Sequence, residues 1–416
     1  MIIGVRIMSK KALVLAGGFP QIALIKELKS RGIFTALADY YENPVAKPYA
    51  DAFYRASTLD IETITEIAQK EEVDFLITAC TDQALLTVAR VSEKLGLPCY
   101  IDYQTALNVT NKQYMKKVFN QRNIPTAKHV IMAEFDAACI EGMQYPLIVK
   151  PVDCNSSKGV KRVENLEELK AAFSNAVCLS RTDTALVEEF IDGEELSADV
   201  YVEDGVAHVL SVSSLDKIAN NDKFVIFRGR YSSEVVDRVH ELVRGIAQQI
   251  ADAFGLKNSP MLIQMITDGE RAFVLEFSAR TGGGIKYLLI KKASGFDVIS
   301  AVVDLTLGEK PHFEKAIPEN KFIINDFIYC KPGRFDRIEG FEEMKEDGTI
   351  SDYYLFKWRG AEFDTIENSG DRVGGFTVQA DTWEDLLKKH KKALDSMRVL
   401  DDQGNDIMRR DLLAML

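Results

Sequence analysis

The chain has 416 residues, 46% of them hydrophobic and 27% charged, values that suit a globular protein of two to three domains. Its net charge of −12, from 51 Lys and Arg against 63 Asp and Glu, argues against a nucleic-acid partner or an anionic membrane surface. No apolar run approaches the roughly 20 residues of a membrane span. The six cysteines show no CxxC or metal-ligand spacing and read as buried thiols of a cytoplasmic protein. The opening MIIGVRIMSKKALVLAGG has the outline of a signal peptide, but ALVLAGG is short for one and leads into a periodic helix. A first β-strand over 12–17 is expected instead, with Met8 an alternative start.

That strand runs into Gly17-Gly18 and an amphipathic helix over about 20–31. Strand FTALAD (34–39), helix IETITEIAQKEE (61–72), strand DFLITA (74–79), helix 81–97 and strand PCYID (98–102) continue the alternation. Such alternation predicts right-handed crossovers and a parallel sheet. The Gly17-Gly18 turn lacks the GxGxxG pattern, so a tight strand-to-helix turn is expected there. Past about residue 107 the texture changes. Helix 111–122, strand PLIVK (146–150), helix 165–176 and strand TALVEEF (184–190) predict a small α+β lobe. Next, Glu195, Ser197, Asp199 and Tyr201 alternate with Leu196, Ala198, Val200 and Val202, the pattern of a half-buried antiparallel strand, with VAHVLSVSSLDK (206–217) as its partner. Helix 233–256 and the hairpin LIQMITDGERAFVLEFSARTGGG (262–284) complete a large lobe. Mixed strands and a helix over 382–396 close the chain.

Three stretches carry chemistry. Lys150 ends a strand before Pro151, and Lys158 follows in the small, Ser-rich loop NSSKGV. The loop is not a Walker A sequence, yet its backbone N–H groups, the hydroxyls of Ser156 and Ser157 and the Lys158 ammonium can fold over phosphate oxygens. Glu188-Glu189 leads out of one lobe, so the backbone of Glu189, Phe190 and Ile191 can offer an edge to a base. Glu195 can accept from ribose hydroxyls. A solvated lysine and an acidic surface turn at Asp192-Gly193 are the competing readings. In the hairpin, period-2 alternation puts Val274, Glu276, Ser278 and Arg280 on one face. Mg²⁺ takes hard oxygen ligands, which Glu276, the Gln264 amide and the Ser278 hydroxyl can supply, while Arg280 offers a fork for an oxyanion. An incidental salt bridge on a structural hairpin competes with this. Register separates the two, because a two-residue turn puts Gln264 opposite Phe273, whereas a loop of roughly five residues puts it opposite Glu276. Arg228 and Arg230 are candidates for a second anionic group of a substrate, weighed equally with surface arginines. Gly283 and Gly284 would let backbone N–H groups approach an anion closely.

In this order the motifs resemble the ATP-grasp superfamily, in the branch of biotin carboxylase, the carbamoyl phosphate synthetase halves and the carboxylate–amine (L-amino acid) ligases. The resemblance spans nearly the whole chain. It implies an α/β protein: a Rossmann-like preATP-grasp domain over 1–107 with a parallel sheet, ATP-grasp lobes over 108–186 and 187–310, and a lid-side C-terminal region over 311–416. The last contains SGDRVGGFTVQADTWEDLLKKHKKAL, similar to the ending of biotin-carboxylase-like ligases. By the same resemblance Lys112 and Lys150 are nucleotide cations, and Lys158 is the cation of the mobile phosphate loop. Glu188 to Ile191 form the adenine hinge, and Glu195 is the ribose acid. Lys158 and Arg280 are the implied catalytic cations. The family's two metal acids, twelve residues apart, fall on Gln264 and Glu276, and its Glu-x-Asn-x-Arg signature reads Glu276-Phe-Ser278-Ala-Arg280. Gln264 and Ser278 depart from that pattern, which leaves one or two metal ions open.

The activity implied is ATP- and Mg²⁺-dependent, with Mn²⁺ able to serve. A carboxylate becomes an acyl phosphate, an amine displaces the phosphate, and ADP is the other product. The partners implied are a small-molecule carboxylate and amine, with no nucleic acid or membrane, and a homodimer is compatible with the class. Two other readings compete. Bicarbonate activation is weakened by the missing biotin carrier and second synthetase half, and a nucleotide-sensing module without turnover is motivated by Gln264 and Ser278.

Overall fold

Lys11–Leu15 (β1) is apolar on both faces because helices cover both sides of it. Ala12 and Val14 pack on Leu24 and Ile25 of α1 (Phe19–Ser30), while Leu13 and Leu15 meet Ile64 of α2 (Ile61–Glu71) and Ala84 and Val88 of α3 (Asp82–Leu95). Phe34–Asp39 (β2), Ala52–Arg55 (β3) and Phe75–Ile77 (β4) join β1 in a parallel sheet of order β3-β2-β1-β4. The computed structural model describes residues 10–154, 158–218, 225–231, 234–311, 313 and 322–413.

The parallel sheet corrects one expected element. Residues 98–102 are not a strand; they are irregular chain leading to α4 (Tyr103–Thr110), whose first turn is capped by the Asp102 carboxylate accepting from the Thr105 N–H at 2.8 Å. Pro98 has no N–H to give to a ladder. The place in the sheet belongs to β3, an edge strand whose Ala52, Phe53 and Tyr54 are only half-buried and so carry a weak hydrophobic signal.

After α5 (Lys112–Arg122), capped by Asn111, an antiparallel sheet of order β5-β8-β6-β7 forms the small lobe from His129–Met132 (β5), Leu147–Pro151 (β6), Lys161–Val163 (β7) and Ala185–Glu189 (β8). Leu169, Phe173 and Ala176 of α6 (Leu166–Leu179) share its core. The large lobe contributes β9 (Glu194–Glu203), β10 (Val206–Lys217), β11 (Ile226–Arg230), α7 (Glu234–Phe254), β12 (Ser259–Thr267), β13 (Ala272–Ser278), α8 (Lys286–Ser294) and α9 (Val298–Thr306). The C-terminal part adds β14 (Phe322–Ile328), β15 (Gly333–Glu339), α10 (Phe341–Glu346), β16 (Asp352–Leu355), β17 (Glu362–Phe363), β18 (Gly374–Ala380), α11 (Trp383–Ser396), β19 (Arg398–Asp401) and α12 (Arg410–Leu413).

The large sheet has eight strands in the order β13-β12-β9-β10-β11-β14-β18-β16, so a boundary at 310 falls between strands of one sheet. Leu196, Ala198 and Val200 on one face meet Val239, Val243 and Ile246 of α7; the other face carries Glu195, Ser197 and Asp199. Helix α9 packs Ile299, Val302 and Val303 against the β1 layer, and Arg31, just past the end of α1, reaches its Asp304 at 2.5 Å. That docking brings the loop after β4 against the large lobe.

Candidate nucleotide and metal site

The hairpin β12–β13 sets the geometry. Asp268 closes its turn, its Oδ1 accepting from the N–H groups of Glu270 (3.0 Å) and Arg271 (2.8 Å), with Gly269 at φ 92°. Thr267 pairs with Ala272, so the loop alone would put Gln264 opposite Leu275. A bulge between Val274 and Glu276 takes up one more residue, and Gln264 pairs directly with Glu276. The bulge also shifts the alternation. Val274 turns into the core with Met265, Phe277 and Ala279, contrary to the expected shared face with Glu276, and Leu275 lines the cleft instead.

That cleft lies between the lobes. It is lined by Lys150, Lys158 and Glu188 to Ile191 on the small-lobe side and by Glu195, Gln264 and Glu276 on the other, with Lys112 at its end. Lys112 Nζ sits 2.9 Å from Glu276 Oε2 and donates to the Cys154 carbonyl at 2.9 Å. Burial would raise the Glu276 carboxyl, but Lys112 outweighs it and holds the group below its ordinary value. Glu188 is almost fully buried and shared: Lys150 bonds its Oε1, and Lys116 stands 3.1 Å from its Oε2. Burial is again overcome, and the two lysines bring the Glu188 carboxyl down to about 2. Burial lowers Lys116, with Glu188 only partly opposing it.

The Glu188 side chain is therefore a counter-ion of lysines, and the hinge edge lies beyond it. The N–H groups of Glu189 and Phe190 are taken by the Lys128 (2.9 Å) and Pro146 (3.0 Å) carbonyls, and Glu189, Phe190 and Ile191 line the cleft. Lys158 is exposed at the cleft, and Gly159 (φ 75°) is close-packed, since a Cβ there would meet Leu179 at 2.7 Å. Ser156 and Ser157 lie outside the described residues. Glu195 accepts from Lys217, a residue the motifs did not single out. Alternation along β10 could have found it, because Leu215 pairs with Glu195 and Lys217 lies two positions on.

Asp82 also had no local signal. It starts α3, in the docked N-terminal layer, and bonds both Ser278 Oγ and the Arg280 guanidinium, Arg280 Nε donating to Oδ1 at 2.7 Å and Nη2 bonding Oδ2. Burial raises the Asp82 carboxyl, but Arg280 more than offsets it and the group is held low. Ser278, expected as a metal ligand, thus spends its hydroxyl on Asp82, and Arg280 is clamped by the same acid. Gln264 and Glu276 remain side by side on the cleft face. One carboxylate and one amide oxygen fit a hard cation that shares phosphate oxygens. Among the described residues no group of three or more His, Cys, Asp or Glu gathers to hold a metal alone.

The expected substrate arginines are corrected. Arg230 pairs with Ser214 across β10–β11 and Arg228 with Asp216, whereas Glu195 pairs with Leu215. Directly opposed residues share a face, so both arginines lie on the sheet's other side from Glu195. Arg228 is fully buried, its fork on Asp326 at 2.6 and 3.0 Å with a further bond to the Leu413 carbonyl at 2.7 Å. Arg230 pairs with Asp216 at 2.8 Å and Glu194 at 3.4 Å. Gly283 is exposed beside the Cys80 carbonyl, and Gly284 (φ 68°) faces Phe327.

Residues 143–287 match the ATP-grasp domain family, and 326–400 match the L-amino acid ligase C-terminal domain 2. Alanine–anticapsin ligase of Bacillus subtilis is 24% identical over 71% of this chain and 67% of its own. The L-amino acid ligase structure from Bacillus licheniformis superposes with a TM-score of 0.79 at 20% identity, covering 95% of this chain and 99% of that one. The biotin carboxylase domain of Hydrogenobacter thermophilus 2-oxoglutarate carboxylase, solved with MgADP and bicarbonate, gives 0.78 at 18% identity over 97% and 92%. The chain spans between 22% and 57% of the length of the first three curated relatives it matches. No described helix is long and apolar enough to cross a membrane. The chain thus carries an ATP-grasp domain and, after it, an L-amino acid ligase C-terminal domain.

Proposed function

We propose that this protein is an ADP-forming ligase that joins a small-molecule carboxylate to an amine. The observation that carries the reading is the pairing of Gln264 with Glu276 at the end of a cleft whose opposite wall presents Lys150 and Lys158. The backbone at Glu189 and Ile191 receives the adenine, and Glu195, held by Lys217, receives the ribose hydroxyls. Lys150, Lys158 and Lys112 attract the phosphates. Glu276 and Gln264 would hold Mg²⁺ against them, and that ion would neutralise charge on the transferring phosphoryl group.

In the first displacement a substrate carboxylate oxygen attacks the γ-phosphorus, and the bond to the ADP oxygen breaks. In the second, the amine nitrogen attacks the acyl phosphate carbon, inorganic phosphate leaves and the nitrogen loses a proton. The chain's part is to position reactants and balance charge. Lys158, on its loop, can follow the γ-phosphate. Arg280 and the N–H groups of Gly283 and Gly284 lie on the segment that leaves the metal strand, suited to an acyl-phosphate oxygen once Arg280 exchanges Asp82 for that anion. Kinship to an alanine–anticapsin ligase and an L-amino acid ligase supports amino acids as the first substrates to try.

The test is phosphate release from ATP with Mg²⁺, screened over pairs of amino acids and over bicarbonate. Release that needs both a carboxylate and an amine is expected. Release with bicarbonate alone would replace this reading with a carboxylase-type one, and tight ATP binding without release in any pool would replace it with a nucleotide sensor.

A further inference from the structure

We propose that Lys116 is a positioning residue for the nucleotide: it keeps Glu188 paired, which leaves Lys150 free to turn from that carboxylate to a phosphate. The inference rests on the nucleotide reading of the cleft. Lys116 lies one helical turn after Lys112 on the inward face of α5 and is fully buried. It forms an ion pair with one oxygen of Glu188 at 3.1 Å, while Lys150 bonds the other. Of the two lysines, only Lys150 lines the cleft.

A carboxylate as buried as Glu188 cannot be left without a cation except at severe loss. If Lys150 were its single partner, every move toward a phosphate would strip that carboxylate, and the attraction holding Lys150 would oppose nucleotide binding. A second lysine removes the conflict, because Lys150 exchanges one anion for another while Glu188 stays paired. Two ammonium groups on one carboxylate also leave a net positive charge at the end of β6, the sign a polyphosphate needs.

Lys116 itself is placed so that it stays behind. Its ammonium donates to the Thr126 hydroxyl, which donates to the Val274 carbonyl at 2.7 Å, two residues before Glu276. The ammonium is thus tied to the metal strand on one side and to Glu188 on the other.

Calorimetric binding of a non-hydrolysable ATP analogue and of adenosine, which lacks phosphates, tests the idea on five variants, with thermal melting alongside. Lys116→Met is expected to weaken the analogue by roughly tenfold to a hundredfold, because Glu188 then holds Lys150. Adenosine binding should be unchanged, and Lys116→Arg should keep most of the affinity. The double variant Lys116→Met with Glu188→Gln, having no buried carboxylate to trap Lys150, should recover most of the loss. Equal losses for analogue and adenosine, or a double variant no better than the single one, would overturn the proposal. Should Lys116→Met fail to fold, the comparison moves to the Glu188→Gln background. There, removing Lys116 should change nothing, and a further loss of roughly tenfold would show Lys116 acting on the nucleotide by itself and sink the idea. Lys150→Ala binding the analogue as tightly as the parent would instead overturn the phosphate wall itself.

Discussion

The two walls of the cleft secure their charges in different ways. On the small-lobe wall, Glu188, Lys150 and Lys116 belong to β8, β6 and α5, segments that adjoin one another. On the hairpin wall, Arg280 and Ser278 are clamped by Asp82, which comes from α3 in the N-terminal layer. The first arrangement joins the two lobes through α5, whose Met115 and Phe119 pack with Val243 and Phe277 of the large lobe. The second exists only while the N-terminal layer is docked on the large lobe, through contacts such as Arg31–Asp304. The Lys150–Glu188–Lys116 cluster therefore depends on the two lobes meeting at α5, whereas the hold on Arg280 depends on the N-terminal layer as well.

Several substitutions would break or sharpen that contrast. The largest effect belongs to Glu276→Ala, which removes the one carboxylate of the Gln264–Glu276 pair and should abolish turnover; near-parental turnover at millimolar Mg²⁺ would disqualify the hairpin as metal site. Arg280→Lys keeps charge but loses the fork, and a fall of about 10²–10³ in kcat with little change in the KM for ATP is expected. Asp82→Asn run beside it separates the roles. If Arg280 is only a clasp between layers, both variants melt lower yet keep normal kcat per folded molecule.

Lys150→Ala should weaken ATP by about 1.5–3 kcal/mol, the range for a charge-assisted contact, and Asp82→Asn should leave that affinity alone. An equal loss in both would show that the walls are not independent. Acid provides a fourth probe. Glu188 falls from 4.5 to about 2 on folding, so its contribution to stability is present above the unfolded value and is lost as pH drops toward 2. The melting temperature of Glu188→Gln should accordingly depend less on pH across that window than the parent's. The smallest effect is reserved for Gln264→Glu, which should be active and should need less Mg²⁺; isothermal titration of Mg²⁺ in the presence of ADP reads this directly.

How much of the molecule is legible in its sequence depends on how local each signal is. The alternation of β9 and the runs of β6 and β8 are properties of adjacent residues, and they put Lys150, Glu188 and Glu195 on strands that the fold brings to the cleft. The hairpin was half legible. Its wide loop was foreseeable as a requirement, but the bulge at Leu275 was not, and it sends Val274 to the core. Arg228 and Arg230 failed for a related reason: a spacing of two places both on one face, and only pairing with β10 decides which. Asp82 was invisible because its partner lies 198 residues away and meets it only through layer docking.

The large sheet has a bearing on how the molecule can be divided. Strands β14, β18 and β16 continue it past β11, so cutting the chain ahead of Phe322 would leave β11 as an open edge. An unpaired edge offers its N–H and C=O groups to any other extended chain, which invites aggregation. The same cut would strand the Arg228 guanidinium in the interior without Asp326, His390 or the Leu413 carbonyl. The nucleotide-binding half is thus not separable from the C-terminal strands, and a soluble minimal fragment has to keep the chain through Ala380 together with the helix bearing His390.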